Sequence, residues 1–469
     1  MSKNFKQARL LSIAAFSFSF AYLLSFLFEG QVLYGIIDTF GVQSNPYILS
    51  AIISHFLGLF TCGYFVQSQR MARYTMIGAM AVCLLLTIPF FFAPSIFWLV
   101  GLVLAGYISG CAVAAWGYYL KIFTPKNDRL KSCADVLIFS NIIMIAINVV
   151  AGSGFPFVGL ALSMLCLVIG AVLIWLLPID SVQTTPQDDG NKLSCKLKKP
   201  MLVLFLFVAV ITVNSGLMYQ VINPAFEHLT GLVSWYWAVP YIVALAFMRN
   251  LPLKAKRPLF LYVGMGMIMT AFITFMLLGR NPIDYIIVDT LMLGACGIFD
   301  LFWWSIIGET LDYTERPAKV FGIGLSANVF GVLCGGAIGM LMTSSNIPKA
   351  EITVLALTVV CITLVILPLL NRQLIMLLKS HAYLIAYDRM NEKQQVTIIS
   401  RTKMLDPLTE REQEVLQLIL AGKSNKEIAA ALFVTESTVK THVRNIYSKY
   451  DISSRAELIS TLLKNQAHI

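Results

Sequence analysis

Two groups of residues in this 469-residue chain have the types and spacing for chemistry: a cationic patch near the C-terminus, and ionisable or amide side chains inside long apolar runs. In the first, Val439, Val443, Ile446 and Tyr450 recur at helical spacing and predict a core stripe. That turns Ser437, Lys440, Thr441, Arg444 and Ser448 to the opposite face. Long cationic side chains on an exposed helix can reach guanine edges or phosphate oxygens, and helix N-termini attract phosphates as well. His442, between core positions, reads as structural. The second group is Asp289, Asp300, His55, Asn141 and Asn148. Eleven residues separate Asp289 from Asp300, close to three helical turns, so the two share one face with Trp303 and Trp304 just beyond. Asn141 and Asn148 share a face in the same way. Such groups are costly in lipid unless paired or lining a cavity. They are therefore candidates for a small-molecule site, with interhelical hydrogen bonding or a structural ion pair as the alternative.

The elements that must position the cationic patch have legible starts. Thr409 with Glu412, Ser424 with Glu427 and Ser454 with Glu457 each pair a hydroxyl N-cap with a carboxylate at N3, and Thr435 with Glu436 offers a further start. Four short helices follow: Glu410 to Ala421, closed by Gly422, then Asn425 to Leu432, Glu436 to Tyr450 and Arg455 to Leu463. The runs Leu408-Thr409-Glu410-Arg411-Glu412, Ala421-Gly422-Lys423-Ser424-Asn425-Lys426-Glu427-Ile428-Ala429 and Thr438-Val439-Lys440-Thr441-His442-Val443-Arg444-Asn445-Ile446 resemble the output domain of the LuxR family, also seen in NarL-like and FixJ-like response regulators. Tyr450 and Asp451 depart from the Leu and Gly often found there. The resemblance implies that Lys440, Thr441 and Arg444 face bases or nearby phosphates in the major groove of double-stranded promoter DNA. Asn425, Lys426 and Thr435 would then sit near the phosphate backbone. It also implies a homodimer on DNA, with the final helix, from Arg455, as the dimer surface. The domain is only mildly basic, so a single copy should bind weakly.

The rest of the chain is of a different kind. A composition of 58% hydrophobic and 13% charged residues does not describe a soluble protein. A bilayer core needs about 20 apolar residues per helix. Candidate spans are Leu10 to Phe28, Pro46 to Val66, Tyr74 to Phe92, Ser95 to Leu120, Cys133 to Ala151 and Phe157 to Leu177. After a polar connection, six more follow: Met201 to Ile222, Leu232 to Met248, Leu259 to Leu278, Ile283 to Ile307, Val320 to Met342 and Ile352 to Leu370. The N-terminal run is too long for a signal peptide and lacks an obvious cleavage site, so it reads as the first span. Alternate loops carry Lys3, Lys6 and Arg9; Arg70 and Arg73; Lys121, Lys126, Arg129 and Lys131; Lys192, Lys196, Lys198 and Lys199; Arg249, Lys254, Lys256 and Arg257; Arg316 and Lys319. The opposite loops hold only Arg280 and Lys349. Much of the net charge of +10 is thus a topology signal that places both termini in the cytoplasm of a bacterial cell with a multi-pass inner-membrane protein. Trp98, Trp116, Trp175 and Trp235 lie near span ends and read as interfacial belt residues.

Two sets of six spans about a polar loop resemble the major facilitator superfamily, whose halves enclose a midplane substrate site. That family's signature between its second and third helices has an acid and a second glycine where this chain has Gln67 and Arg70, although Gly63 is kept. The loss counts against active transport and favours a transporter shape reused as a receptor. Nine scattered cysteines without a CxxC pair indicate neither a disulfide framework nor a metal site, and no phosphate loop or activated nucleophile occurs, so neither a cofactor nor an enzyme is expected. The expected architecture is all-α: a major-facilitator-like bundle over 1–370, a helical or interfacial linker over 371–403, and a four-helix LuxR-type helix-turn-helix domain over 404–469. The linker could extend the last span as a rod or lie along the inner leaflet. The expected activity is one-component transcription regulation by a small molecule bound between the two halves. The alternative is an active transporter with an appended DNA-binding domain.

Overall fold

The computed structural model describes residues 3–28, 30–42, 45–125, 128–178, 190–251, 257–311, 314–345, 349–388, 408–450, and 452, 455 and 458. All regular structure among them is helical. The chain divides into two compact units, Met1–Leu367 and Pro368–Ile469.

Among the described residues, 12 helical segments are long and apolar enough to cross a membrane. The first crossing is longer than the expected Leu10 to Phe28. Helix α1 (Lys3–Tyr22) runs into a π turn at Leu23–Leu27, and the chain restarts from Gly30 as α2 (Gln31–Phe40). Only glycine fits that restart, because a Cβ on Gly30 would lie 1.8 Å from the Ser25 carbonyl oxygen. Helices α3 (Asn45–Phe65), α4 (Gln69–Thr87), α5 (Ile96–Phe123), α6 (Arg129–Gly152) and α7 (Pro156–Trp175) complete the first six crossings. The second six begin with α8 (Gly190–Leu217), which ends in a second π turn at Met218–Ile222. The eighth crossing, expected as one helix, is broken into α9 (Thr230–Tyr236) and α10 (Val239–Arg249), with Pro240 in the first turn of α10. Proline lacks the amide that would continue the preceding helix, so the break falls there. Helices α11 (Arg257–Leu277), α12 (Pro282–Thr310), α13 (Pro317–Ser344) and α14 (Lys349–Asp388) follow.

Helix contacts in lipid rest on close backbone approach at small residues. Gly331, Gly335 and Gly339 recur every fourth residue along α13 and take the backbone or side chains of Ala209, Val213, Gly216 and Gln220 directly against them. Gly58, Gly106 and Gly110 do the same between α3 and α5.

One end of the bundle is sealed between the halves. Phe16 stacks on Trp116 with ring centroids 4.3 Å apart, and Trp304 packs edge-on against Phe321 at 5.3 Å and Phe20 at 6.0 Å. Beyond this aromatic layer, Arg129 Nη1 donates to the Gly308 carbonyl at 2.9 Å, Lys121 Nζ to the Thr314 carbonyl at 2.8 Å, and Arg249 forms a two-point ion pair with Asp135 at 2.5 and 3.2 Å. Lys121, Arg129 and Arg249, three of the basic residues noted in the sequence, therefore lie at this end. Trp98 and Trp116 are not belt residues: both are buried, and their indole N–H groups donate to the Pro89 carbonyl and the Ser12 hydroxyl. Proximity to a span end fixes a residue's depth, whereas neighbouring helices decide whether it meets lipid. Trp175 and Trp235 are exposed, as a belt requires.

Past Leu370 the backbone of α14 stays helical to Asp388, with Pro368 inside the helix. The remainder of the expected linker, 389–403, lies outside the described residues.

In the second unit, α15 (Glu410–Leu420), α16 (Asn425–Ala431) and α17 (Glu436–Lys449) close on a core that includes Val415, Leu416, Ile419, Ile428, Val439, Ile446 and Leu458. The Thr409–Glu412 and Ser424–Glu427 capping boxes are both formed, and Thr435 Oγ1 accepts from the Thr438 amide. Gly422, at φ +79°, ends α15, with the Gly422 amide on Ile419 O and the Lys423 amide on Leu418 O. Arg455 donates to the Ile419 and Lys423 carbonyls, placing a cation at the negative end of α15. The third capping box, Ser454 with Glu457, and most of the expected final helix lie outside the described residues.

Glu412 joins two elements. Besides capping α15 it accepts from Lys449 Nζ at 2.7 Å, with only 4% of its side chain exposed. Burial pushes its carboxyl up, but the Lys449 ammonium and the Thr409 amide and hydroxyl outweigh that and hold its pKa below the usual 4.5. A depressed carboxyl pKa contributes stability that is present above the unfolded value and lost as pH falls through the folded one. The domain is therefore expected to lose stability below about pH 4.5, and Glu412→Gln to flatten that acid limb while costing about 1–3 kcal/mol at pH 7. Urea melts of the domain signal across pH 3–7 check both; an unchanged acid limb in the variant would refute the assignment.

Candidate nucleic-acid interface and membrane site

Among the described residues of the second unit, α17 faces outward over most of its length. Val439 and Ile446 are buried, whereas Ser437, Lys440, Thr441, Arg444 and Ser448 are exposed, so one contiguous polar face is free of the domain core. Lys440 rests against Glu436 at 3.0 Å with 63% of its side chain exposed, a pair one turn apart that a phosphate or base can displace at small cost. Thr441 Oγ1 donates to the Ser437 carbonyl. Thr435, the N-cap of α17, is exposed, as is Lys426; Asn425, at the start of α16, is half-buried. These are the two helix starts that sequence reasoning placed near the phosphate backbone, and each adds unpaired amides to the positive side chains. The turn between α16 and α17 holds a residue that the sequence reading passed over. Phe433 has a φ of +53° and is 96% exposed. Its signal was available, since a phenylalanine two residues before an N-cap, outside any core stripe, has nowhere in the domain to pack.

In the bundle, the six ligand-site candidates fall into two groups. Three are already partnered. His55 is buried, with Nδ1 3.1 Å from Ser109 Oγ and its ring edge-on to Phe28; Asn141 Nδ2 donates to Leu137 O on its own helix; Asp300 accepts from the Tyr241 hydroxyl at 2.6 Å. The other three have polar atoms without a partner: both amide atoms of Asn148, Asp289 Oδ2 and Trp303 Nε1. Asn214 and the hydroxyls of Tyr118 and Tyr285 are orphaned in the same way, and none of these was singled out from the sequence. Among the described residues no cation pairs with either aspartate, and no group of three or more potential metal ligands occurs.

Asp289, Asp300 and Trp303 lie on α12, and Asn141 and Asn148 on α6. These helices pack antiparallel, with Arg129 on the Gly308 carbonyl and Cys133 on the Trp304 carbonyl. Away from the aromatic seal, a crevice opens between the halves, lined by Tyr34, Ile48 and Ile52 on one side and Tyr219, Gln220 and Met340 on the other. Of the altered transporter signature, Gly63 still takes the Lys319 backbone against it, but Gln67, just past the end of α3, donates to the Tyr64 carbonyl. Arg73 instead ties the start of α4 to the Trp175 and Leu177 carbonyls at the end of α7.

Comparison with known proteins agrees with both halves of this description. Residues 406–462 match the family profile described as bacterial regulatory proteins, luxR family. Over 50 residues the chain is 58% identical to the uncharacterized transcriptional regulatory protein YhcZ of Bacillus subtilis (strain 168), covering 11% of this chain and 23% of that protein. It is 56% identical over 52 residues to the transcriptional regulatory protein LiaR of the same organism, covering 11% and 25%. It is 51% identical over 67 residues to the uncharacterized response regulatory protein YgeK of Escherichia coli (strain K12), covering 14% and 46%. The chain thus spans less than half the length of each of these relatives. Among solved structures it resembles the human organic anion transporter MFSD10 (TETRAN), with a TM-score of 0.57 and 14% identity over 78% of this chain and 99% of that one. The C-terminal domain is of the LuxR DNA-binding type, and the membrane bundle has the major facilitator fold.

Proposed function

We propose that this protein is a membrane-anchored, one-component transcription regulator. A small molecule bound between the two six-helix halves shifts the bundle between states and changes how the C-terminal domain meets promoter DNA. The observation that carries the reading is the joining, in one chain, of a LuxR-type domain with a bare cationic helix face to a bundle whose interior keeps unpartnered polar groups. Lys440, Thr441 and Arg444 contact bases or adjacent phosphates, Ser437 supports them, and Asn425, Lys426 and Thr435 contact the backbone. Two copies bind together, reading half-sites about 10 bp apart or a multiple of it. The basic residues Lys121, Arg129 and Arg249 at the sealed end, with the one-sided Lys and Arg content of the loops in the sequence, support a cytoplasmic placement of both termini in the bacterial inner membrane. No covalent chemistry is required of the chain. Moving such a switch from mostly off to mostly on takes a ligand preference of about 5.5 kcal/mol for one state, so weaker preferences give graded control.

The test is a comparison of transcripts between cells carrying the native gene and cells carrying Lys440→Ala with Arg444→Ala, at matched amounts of membrane-inserted protein. A discrete set of changed transcripts supports regulation; identical profiles under every growth condition tried would refute it. The transporter reading predicts concentrative uptake by vesicles holding the purified protein, and the replacement of the signature acid by Gln67 argues against that result.

A further inference from the structure

We propose that Cys62 on α3 and Cys111 on α5 form a redox pair that a lipid-soluble quinone closes to a disulfide, and that closure shifts the seam between the two halves. This goes beyond ligand sensing and does not rest on it.

The two residues are 49 apart in the chain, so no motif joins them and the fold alone brings them together. Helices α3 and α5 meet at glycines: a Cβ on Gly58 would lie 2.0 Å from the Tyr107 carbonyl oxygen and 3.2 Å from the Gly110 Cα. Cys62 stands one turn beyond Gly58, and Cys111 directly follows Gly110. At this close approach each thiol reaches across to the other helix, Cys62 Sγ donating to the Cys111 carbonyl at 3.2 Å and Cys111 Sγ to the Gly58 carbonyl at 3.6 Å. The two thiols also lie within hydrogen-bonding reach of one another. Other described cysteines have different neighbours: Cys83 meets the Ala105 carbonyl, Cys133 the Trp304 carbonyl and Cys296 the Ser215 hydroxyl. Cys62 and Cys111 are both free thiols, so the pair is in its reduced form. A disulfide needs facing Cβ atoms about 4 Å apart, a separation that backbones held together at glycine permit.

The surroundings choose the oxidant. Cys62 is buried, but Cys111 is only half-buried, and so is Tyr107, one turn before it, whose hydroxyl lies 2.9 Å from that of the exposed Thr61. The surface they reach is apolar, with Leu57, Phe60 and Tyr64 exposed on α3 and Val103 and Leu104 on α5. On helices that cross a membrane such a surface meets lipid, where a charged, water-soluble oxidant is costly to place. A quinone dissolves there, and the Tyr107 and Thr61 hydroxyls offer its carbonyl a polar contact. The step balances: both S–H bonds break, one S–S bond forms, and two electrons and two protons reduce the quinone to its hydroquinone.

Closure acts on the seam because Cys62 lies between two residues that take α13, from the second half, directly against them. A Cβ on Gly322 would lie 2.3 Å from the Leu59 carbonyl oxygen and 2.9 Å from the Ala114 Cβ, and one on Gly63 would lie 2.1 Å from the Lys319 Cα. An S–S bond of about 2 Å is shorter than any contact between unbonded thiols, so α3 and α5 must draw together beneath α13. Close-packed contacts transmit such a shift rather than absorb it. Lys319 reports it, since its ammonium rests over the Tyr64 ring at 4.3 Å.

The experiment treats the reduced full-length protein in lipid nanodiscs with decylubiquinone, decylubiquinol or oxidised glutathione, and maps its peptides by mass spectrometry. Decylubiquinone is expected to convert most of the pair to a Cys62–Cys111 disulfide that dithiothreitol reopens, and the other two compounds to leave it reduced. The rate of Lys319 acetylation by an amine reagent is expected to change about three-fold on oxidation, and to stay constant in Cys62→Ser and Cys111→Ala, which cannot close. The peptide map uses the native chain, so it decides the matter even where a variant fails to fold. The proposal is overturned if decylubiquinone yields no Cys62–Cys111 disulfide, if oxidised glutathione forms it as readily, or if Lys319 reacts alike in the two redox forms.

Discussion

Replacing Lys440 and Arg444 together by alanine is expected to weaken binding of the full-length protein to its operator by about 30-fold or more, and to remove its preference for operator over random DNA. Each cation that reaches a base edge or phosphate contributes about 1–3 kcal/mol, and the proposed dimer would lose both from each half-site. Neither residue belongs to the core, since both side chains are exposed on α17 and Lys440 pairs with Glu436 on the same helix. The variant should therefore keep the wild-type melting profile. The salt slope separates the two roles, because loss of phosphate contacts flattens the dependence of log affinity on log salt whereas loss of a base contact does not. Fluorescence anisotropy over 50–200 mM salt, with the protein in nanodiscs, gives affinity and slope together. Unchanged affinity in the folded double variant would remove α17 from the interface.

The second large effect is expected from Gly335→Leu. A Cβ at residue 335 would lie 2.0 Å from the Val213 carbonyl oxygen and 3.0 Å from the Gly216 Cα, so no rotamer relieves the clash and α13 must leave α8. Lipid supplies no hydrophobic drive to hold helices together, and the contact depends on close van der Waals packing. We expect the variant to lose the monodisperse peak in detergent size-exclusion chromatography and most of its membrane-inserted level, whereas Gly266→Leu, in open space on α11, should retain both. Equal behaviour of the two variants would contradict the packing described for α8 and α13.

How much of this could be read from the residues depends on which physical signal each feature leaves. Twelve apolar segments and the helix starts of the C-terminal unit were legible, because lipid thickness sets a length and Thr409, Ser424 and Thr435 announce caps by type and spacing. The π turns left no such mark, since Leu23–Leu27 has the composition of any apolar helix and its backbone is set by Gly30 folding onto Ser25. The glycine row at 331, 335 and 339 was visible as a period of four, but its partner helix was not. Trp98 and Trp116 went to the wrong side of the bundle for a similar reason, as depth along a helix says nothing of the direction a side chain faces. Of the intramembrane polar residues, the sequence supplied Asp289, Asn148 and Trp303 as candidates. It could not distinguish them from His55, Asn141 and Asp300, which had found partners, or point to Tyr285, whose hydroxyl had not.

The central claim is that a protein held in the membrane reads DNA, and the most direct measurement is recovery of crosslinked chromosomal DNA with the full-length protein from the washed membrane fraction, followed by sequencing. The account predicts a small number of enriched promoter sites with paired half-sites, absent in Lys440→Ala with Arg444→Ala at equal membrane levels. Uniform recovery of the chromosome, or enrichment that the double variant retains, would contradict it.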